Sequence, residues 1–183
     1  MRIILSSPCA KFTALIRFFF LKILLIKKLE IKELSYIGTN LKVYIQRNSR
    51  ITVNGKIYIS DNVELQSRGK LSFGNACAIN SFSRIIAFGE IKIGDRVRIA
   101  QHVSILDHDH KYDFQDGILN TAGFTIKPIT IGNNVWIADK VTITKGVTIG
   151  DNVIIAANSV VTKDIESNVM AGGVPAKTIK KLI

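Results

Sequence analysis

Two imidazoles and two carboxylates alternate at Asp107-His108-Asp109-His110. Histidine, with an unperturbed pKa of about 6.5, can take and return a proton near neutrality, and an adjacent carboxylate can orient its ring. The quartet therefore suits general base chemistry on a hydroxyl or amine. It would also serve as a plain solvated turn. The third histidine, His102, lies in the same stretch. The two cysteines, Cys9 and Cys77, are too far apart and too few for a disulfide framework or a metal knuckle. Cys77 falls where a small buried residue is wanted, and such cysteine usage fits a reducing cytoplasm.

The quartet opens the segment 107–128, DHDHKYDFQDGILNTAGFTIKP, which is too polar and irregular for a buried element. A loop this long within a compact domain is usually functional. On its C-terminal side six aliphatic residues stand six apart: Ile131, Ile137, Ile143, Ile149, Ile155 and Val161. Each is followed by a small residue or Thr, and Val135, Val141, Val147 and Val153 repeat four positions on. A period of six fits neither a helix nor a lone hairpin; it marks a hexapeptide β-helix, with three units per triangular coil. Upstream the register continues through Phe73, Ile79, Ile85, Ile93, Ile99 and Ile105. Eight-residue steps at Gly69-Lys70 and Gly89-Glu90 read as bulged corners, and Asn54-Gly55 as another corner. The reading is thus an all-β parallel β-helix over 41–173 with a projecting loop at 107–128. A basic-apolar, helical segment precedes it over 1–40, and a short helix follows over 174–183.

The chain of 183 residues carries a formal net charge of +11, much of it at the two ends. A basic balance raises nucleic acid first, but no nucleic-acid fold signature accompanies it, and no nucleic-acid partner is expected. Residues 11–32, KFTALIRFFFLKILLIKKLEIK, are apolar but broken by Arg17, Lys22 and Lys27. A spanning helix needs about 20 consecutive apolar residues, and a signal peptide would put its charge first. Two readings stay open, and they are compatible: a helix lying on an anionic membrane surface, or a helix packed over the end of the prism.

The stretches IGDRVRIAQHVSI, DHDH, ITIGNNVWIADKVTITKGVTIGDNVIIAANSVVTKDI and AGGVPAKTIKKL, over about residues 73–183, resemble the left-handed β-helix (hexapeptide) acyltransferases. The similarity is to the branch of maltose, galactoside and serine acetyltransferases and of bacterial polysaccharide O-acetyltransferases. The left hand of the coil comes from this resemblance, since the usual crossover preference is right-handed. The resemblance implies acetyl transfer from acetyl-CoA, without a metal, in a homotrimer with sites between neighbouring prisms. It places the general base on His110, leaves His108 as an alternative, and puts an acceptor-contacting or oxyanion-steadying amide at Asn80. It maps coenzyme contacts to Trp136, Ala138, Ala156, Ala157, Thr162, Lys163, Lys177 and Lys180. Relatives commonly carry Gly at the first two alanine positions and often Arg where Lys177 and Lys180 stand; a lysine offers a point charge without the bidentate fork. Tyr112, Phe114 and Phe124 could stack on a sugar ring or pack the loop.

The expected activity is O-acetylation of a saccharide acceptor in surface polysaccharide (O-antigen or capsule) synthesis. The setting would be cytoplasmic, at the inner face of the membrane, with residues 11–32 as the peripheral contact. The competing readings are N-acetylation of a nucleotide-linked amino sugar or xenobiotic, a γ-type carbonic anhydrase, and a scaffold without activity. The carbonic anhydrase would need zinc held by histidines from successive coils, whereas His102, His108 and His110 crowd into one stretch.

Overall fold

The computed structural model describes residues 8–183, with side chains from residue 12 onward. The charges at Arg2 and Lys11 and the Cys9 thiol lie outside that description. Three parallel sheets wrap one core as a left-handed β-helix. The first face stacks Leu29–Ile31, Arg50–Val53, Lys70–Phe73, Glu90–Ile93, Ile129–Ile131 and Thr148–Ile149. The second stacks Tyr36–Ile37, Ile57–Ile59, Cys77–Ile79, Arg98–Ile99, Trp136–Ile137 and Ile154–Ile155, and the third Lys42–Ile45, Glu64–Ser67, Arg84–Ala87, Ser104–Leu106, Thr142–Ile143 and Val160–Val161.

The six-residue period becomes columns of aliphatic side chains along the axis. On the first face Ile31, Val53, Phe73, Ile93, Ile131 and Ile149 are successive partners, all buried. On the second, Ile37, Ile59, Ile79, Ile99, Ile137 and Ile155 do the same. Each buried side chain of this size contributes about 1.5–3 kcal/mol relative to exposure. The eight-residue steps are wider corners: Arg68-Gly69 and Phe88-Gly89 separate the strands on either side. A Cβ on Gly69 would run into the Gly89 carbonyl oxygen, so this corner stacks only with glycine at position 69.

Three expectations change. The prism begins at Leu29, which pairs with Ile51, ahead of the expected boundary at 41. Residues 107–128 are not structureless: His108–Gln115 and Ile118–Ile126 form an antiparallel hairpin. Its turn is Asp116-Gly117, both at positive φ (51° and 77°), a two-residue connection that matches strand twist. The helix expected over 174–183 does not form. Ala176–Lys181 is a strand antiparallel to Val169–Gly173, with Val169 opposite Lys181 and Gly173 opposite Ala176. The last coil otherwise leaves a row of unpaired N–H and C=O groups, which a strand satisfies and a short helix, marginal in water, would not.

The opposite end is closed by the helix Pro8–Leu24. Ala14 and Phe18 are buried against the first coil. The Arg17 guanidinium donates to the Ile37 carbonyl at 3.0 Å, and the Lys28 ammonium to that of Ile45 at 3.4 Å. The cap thus covers apolar side chains and open backbone acceptors together.

Candidate active site

The quartet at 107–110 divides into four different roles. Asp107 follows Ile105 and Leu106 on the third face, and its side chain turns inward, fully buried. Its two carboxylate oxygens accept the backbone N–H groups of Phe88 and Gly89, each at 2.7 Å. Asp107 therefore ties down the widened corner of the coil below. His108 stands in register over Phe88, which stands over Arg68. The guanidinium lies 3.8 Å from the Phe88 ring centre, and the His108 ring stacks on the other side at 3.6 Å and 4°. His108 Nδ1 is also 3.3 Å from Asp107 Oδ1, so its ring is held both by stacking and by a carboxylate. Asp109 points to the other side of the hairpin and pairs with Lys145. His110 pairs across the hairpin with Phe124, its ring tilted over that ring at 4.6 Å. It is exposed, and among the described residues no hydrogen bond holds its ring. Within the quartet, His110 is thus the imidazole whose nitrogens are uncommitted.

His102 lies apart, on the edge between the second and third faces, stacked on Phe82 at 5.1 Å. The three histidines do not converge within one chain.

Asn80 occupies that same edge. Its backbone N–H donates to Ile99, as Ala100 does to Ile137, Ala138 to Ile155 and Ala156 to Ala171. Asn80, Ala138 and Ala156 therefore belong to one column of small or polar residues, with exposed Ala157 beside its upper part. The column ends at Gly172, where an added Cβ would lie 2.8 Å from the Ala156 Cβ. Next to Ala138, Asp139 keeps one buried carboxylate oxygen without a hydrogen bond among the described residues.

Trp136 faces outward on the second face, 52% exposed. It shares a cavity of about 440 Å³ with Asn80, Arg96, Arg98, Ala100, Asn134 and Val135. A second cavity, about 340 Å³, continues from Trp136 past Asn152 and Ile154 to Leu182 and Ile183. Outward neighbours along this groove are Trp136, Ile154, Met170 and Lys180. Lys177 lies opposite Gly172. Sequence reasoning missed Arg96 and Arg98, although their spacing of two in DRVRIA puts both outside the core. Thr162 and Lys163, both exposed, stand at the far edge, between the third and first faces.

The expected site residues thus form two groups on different edges of the prism. Asn80, Trp136, Ala138, Ala156, Ala157, Lys177 and Lys180 gather around the second face; His110 stands with Thr162 and Lys163 across the third. A single chain does not bring His110 to Asn80.

Residues 128–163 match the family model described as bacterial transferase hexapeptide (six repeats). A putative lipopolysaccharide biosynthesis O-acetyl transferase, WbbJ, of Escherichia coli K12 is 34% identical over 119 residues, 60% of this chain and 59% of that one. The chain spans between 29% and 59% of the length of such curated relatives. A maltose O-acetyltransferase from Clostridium difficile 630 is 31% identical in structural superposition, covering 86% of this chain and 68% of that one, with a TM-score of 0.50. A hexapeptide-repeat acetyltransferase of Vibrio cholerae, solved with acetyl coenzyme A, superposes over 92% of this chain and 78% of that one, at 26% identity and a TM-score of 0.61. Repeat, fold and relatives agree: the chain belongs to the hexapeptide-repeat acyltransferases.

Proposed function

We propose that the protein transfers the acetyl group of acetyl-CoA to a sugar hydroxyl, in a homotrimer whose sites lie between neighbouring prisms. The observation that carries this reading is the division of the site residues between two edges of one chain. A threefold arrangement can lay the His110 edge of one prism against the Asn80 edge of the next. The alternation of tight corners and flat faces supports a coenzyme lying along the small-residue column. There Gly172 has no room for a Cβ, and Ala138 and Ala156 leave the backbone open to a long, thin ligand. Trp136 lines the remaining path, Thr162 and Lys163 come to it from the neighbouring prism, and Lys177 and Lys180 supply positive charge for the phosphates.

In the reaction, the thioester supplies an activated acyl carbon. His110 takes the proton of the acceptor hydroxyl as its oxygen attacks that carbon. The Asn80 amide steadies the negative charge that develops on the carbonyl oxygen. The carbon–sulfur bond then breaks, and His110 returns the proton to the departing thiolate. Phe124, under His110, gives a sugar ring an apolar surface to rest on.

The acceptor we favour is a sugar of a surface polysaccharide or its precursor, such as O-antigen or capsule, modified in the cytoplasm at the inner face of the membrane. The likeness to the putative lipopolysaccharide O-acetyl transferase and to the maltose enzyme supports a sugar hydroxyl over an amine. Purified protein given acetyl-CoA and a panel of acceptor sugars should release free thiol only when a suitable sugar is present. His110→Ala should reduce that rate by about 10²- to 10⁴-fold. Unchanged thiol release in His110→Ala, or no binding of coenzyme A, would refute the reading.

A further inference from the structure

The N-terminal helix buries one side against the prism and leaves the other bare. Ala14 and Phe18 are covered, whereas Phe12, Ile16, Phe19, Phe20, Ile23 and Leu24 are 52–74% exposed. At 100° per residue these six share one broad face, opposite the capping one. Just beyond the helix Ile26 is also 71% exposed. Isolated exposed hydrophobics are ordinary on a protein surface; seven large ones in the fifteen residues 12–26 are an interaction face.

The rim of this face is basic. Lys22, Lys27 and Lys32 are exposed beside it. At the junction of helix and prism lies a cavity of about 360 Å³. Lys22, Lys27, Lys28 and Arg50 line it together with Ile26, and Glu30 is the one acid there. Four cations around a recess adjoining an apolar face match a phosphate group adjoining hydrocarbon. A second copy of this chain would bring the same basic rim and the same excess of +11, so like charges oppose that occupant. No helix among the described residues is long and apolar enough to cross a bilayer.

We infer that the outward face of the N-terminal helix docks in the surface of a bilayer rich in anionic phospholipid, with lipid phosphates in the basic junction cavity. Phe12, Ile16, Phe19, Phe20 and Ile23 enter the boundary between headgroups and acyl chains, and Lys22, Lys27, Lys28 and Arg50 hold the phosphates. The inward side meanwhile keeps the prism closed, so one helix caps the fold and faces lipid. The docking needs neither acetyl-CoA nor an acceptor, and it stands or falls separately from the acetyltransferase reading.

The test is sedimentation of the full chain with phosphatidylcholine vesicles and with vesicles of phosphatidylcholine and phosphatidylglycerol at seven to three. The protein should pellet with the anionic vesicles, less so in 0.5 M salt, and only weakly with the neutral ones. Phe20→Glu/Ile23→Glu, at exposed positions, should keep the melting temperature and lose binding by at least about tenfold. Lys22→Gln/Lys27→Gln should weaken binding to anionic vesicles by roughly thirtyfold, at about fivefold per charge, and leave binding to neutral vesicles unchanged. Failure of the native chain to bind anionic vesicles would overturn the proposal. So would binding by Phe20→Glu/Ile23→Glu equal to the native level. If that variant instead lowers the mass measured by light scattering while the native chain ignores vesicles, a second copy covers the face and the proposal is wrong.

Discussion

At the scale of single residues, neighbours in sequence have unrelated tasks. Asp107 and His110 illustrate it. Asp107 is fully buried and satisfies two backbone N–H groups. Asp107→Ala should therefore destabilise the fold by on the order of 3 kcal/mol in urea unfolding, because two buried donors lose their acceptor. His110→Ala, at an exposed ring, should leave unfolding within about 0.5 kcal/mol of native. If both variants unfold alike, the assignment of Asp107 to structure fails. Cys77 gives a chemical check at the same scale. Burial pushes its thiol up from the ordinary value, and it sits in the core with the Gly94 carbonyl at 3.1 Å from its sulfur. A thiol kept protonated and covered does not attack alkylating agents. Iodoacetamide at pH 8 should leave Cys77 unmodified in the native protein and modify it in urea, as read by peptide mass. The residue roles at 107–110 were only partly legible in sequence: DHDH announces proton chemistry, but which carboxylate faces inward depends on the pleat and on the bulged corner at Gly89.

Among the elements, legibility tracked the core. From Ile131 to Val161 every sixth side chain points inward, so the period appears in the sequence and again in the structure. The hairpin at 108–126 has no buried face, and nearly all its residues are exposed. With nothing to alternate against, its strands left no pattern, and only Asp116-Gly117 signalled a turn. The C-terminal strand was hidden for a related reason. In Ala176–Lys181 only Ala176 is buried, and the lysines face solvent from an edge strand. Leu29–Ile31, in turn, was masked by the basic-apolar run that contains it. Two substitutions probe these elements. Gly69→Ala drives a Cβ into the Gly89 carbonyl and should cost at least about 1–3 kcal/mol, read as a lower urea midpoint. Gly117→Val, with nothing near it, strains only a left-handed turn and should cost roughly 1–2 kcal/mol locally. Hydrogen exchange should rise in the hairpin alone, with the global midpoint unchanged. A global shift would mean that the hairpin supports the prism.

At the scale of the whole molecule, the prism is a ruler that assigns chemistry to edges. Asn80, Ala138 and Ala156 share the edge between second and third faces, and His110 rises from the next edge on a hairpin. The helix Pro8–Leu24 packs on the N-terminal end, and at the C-terminal end an antiparallel strand extends the second sheet. The central claim is that a site takes His110 from one chain and Asn80 from its neighbour. His110→Ala and Asn80→Ala should each be nearly inactive alone. Unfolded and refolded together in equal amounts into the proposed trimer, they should give about one interface in four with both residues intact. The account predicts recovery of thiol release to about a quarter of the native rate. A mixture no more active than either variant alone would contradict it.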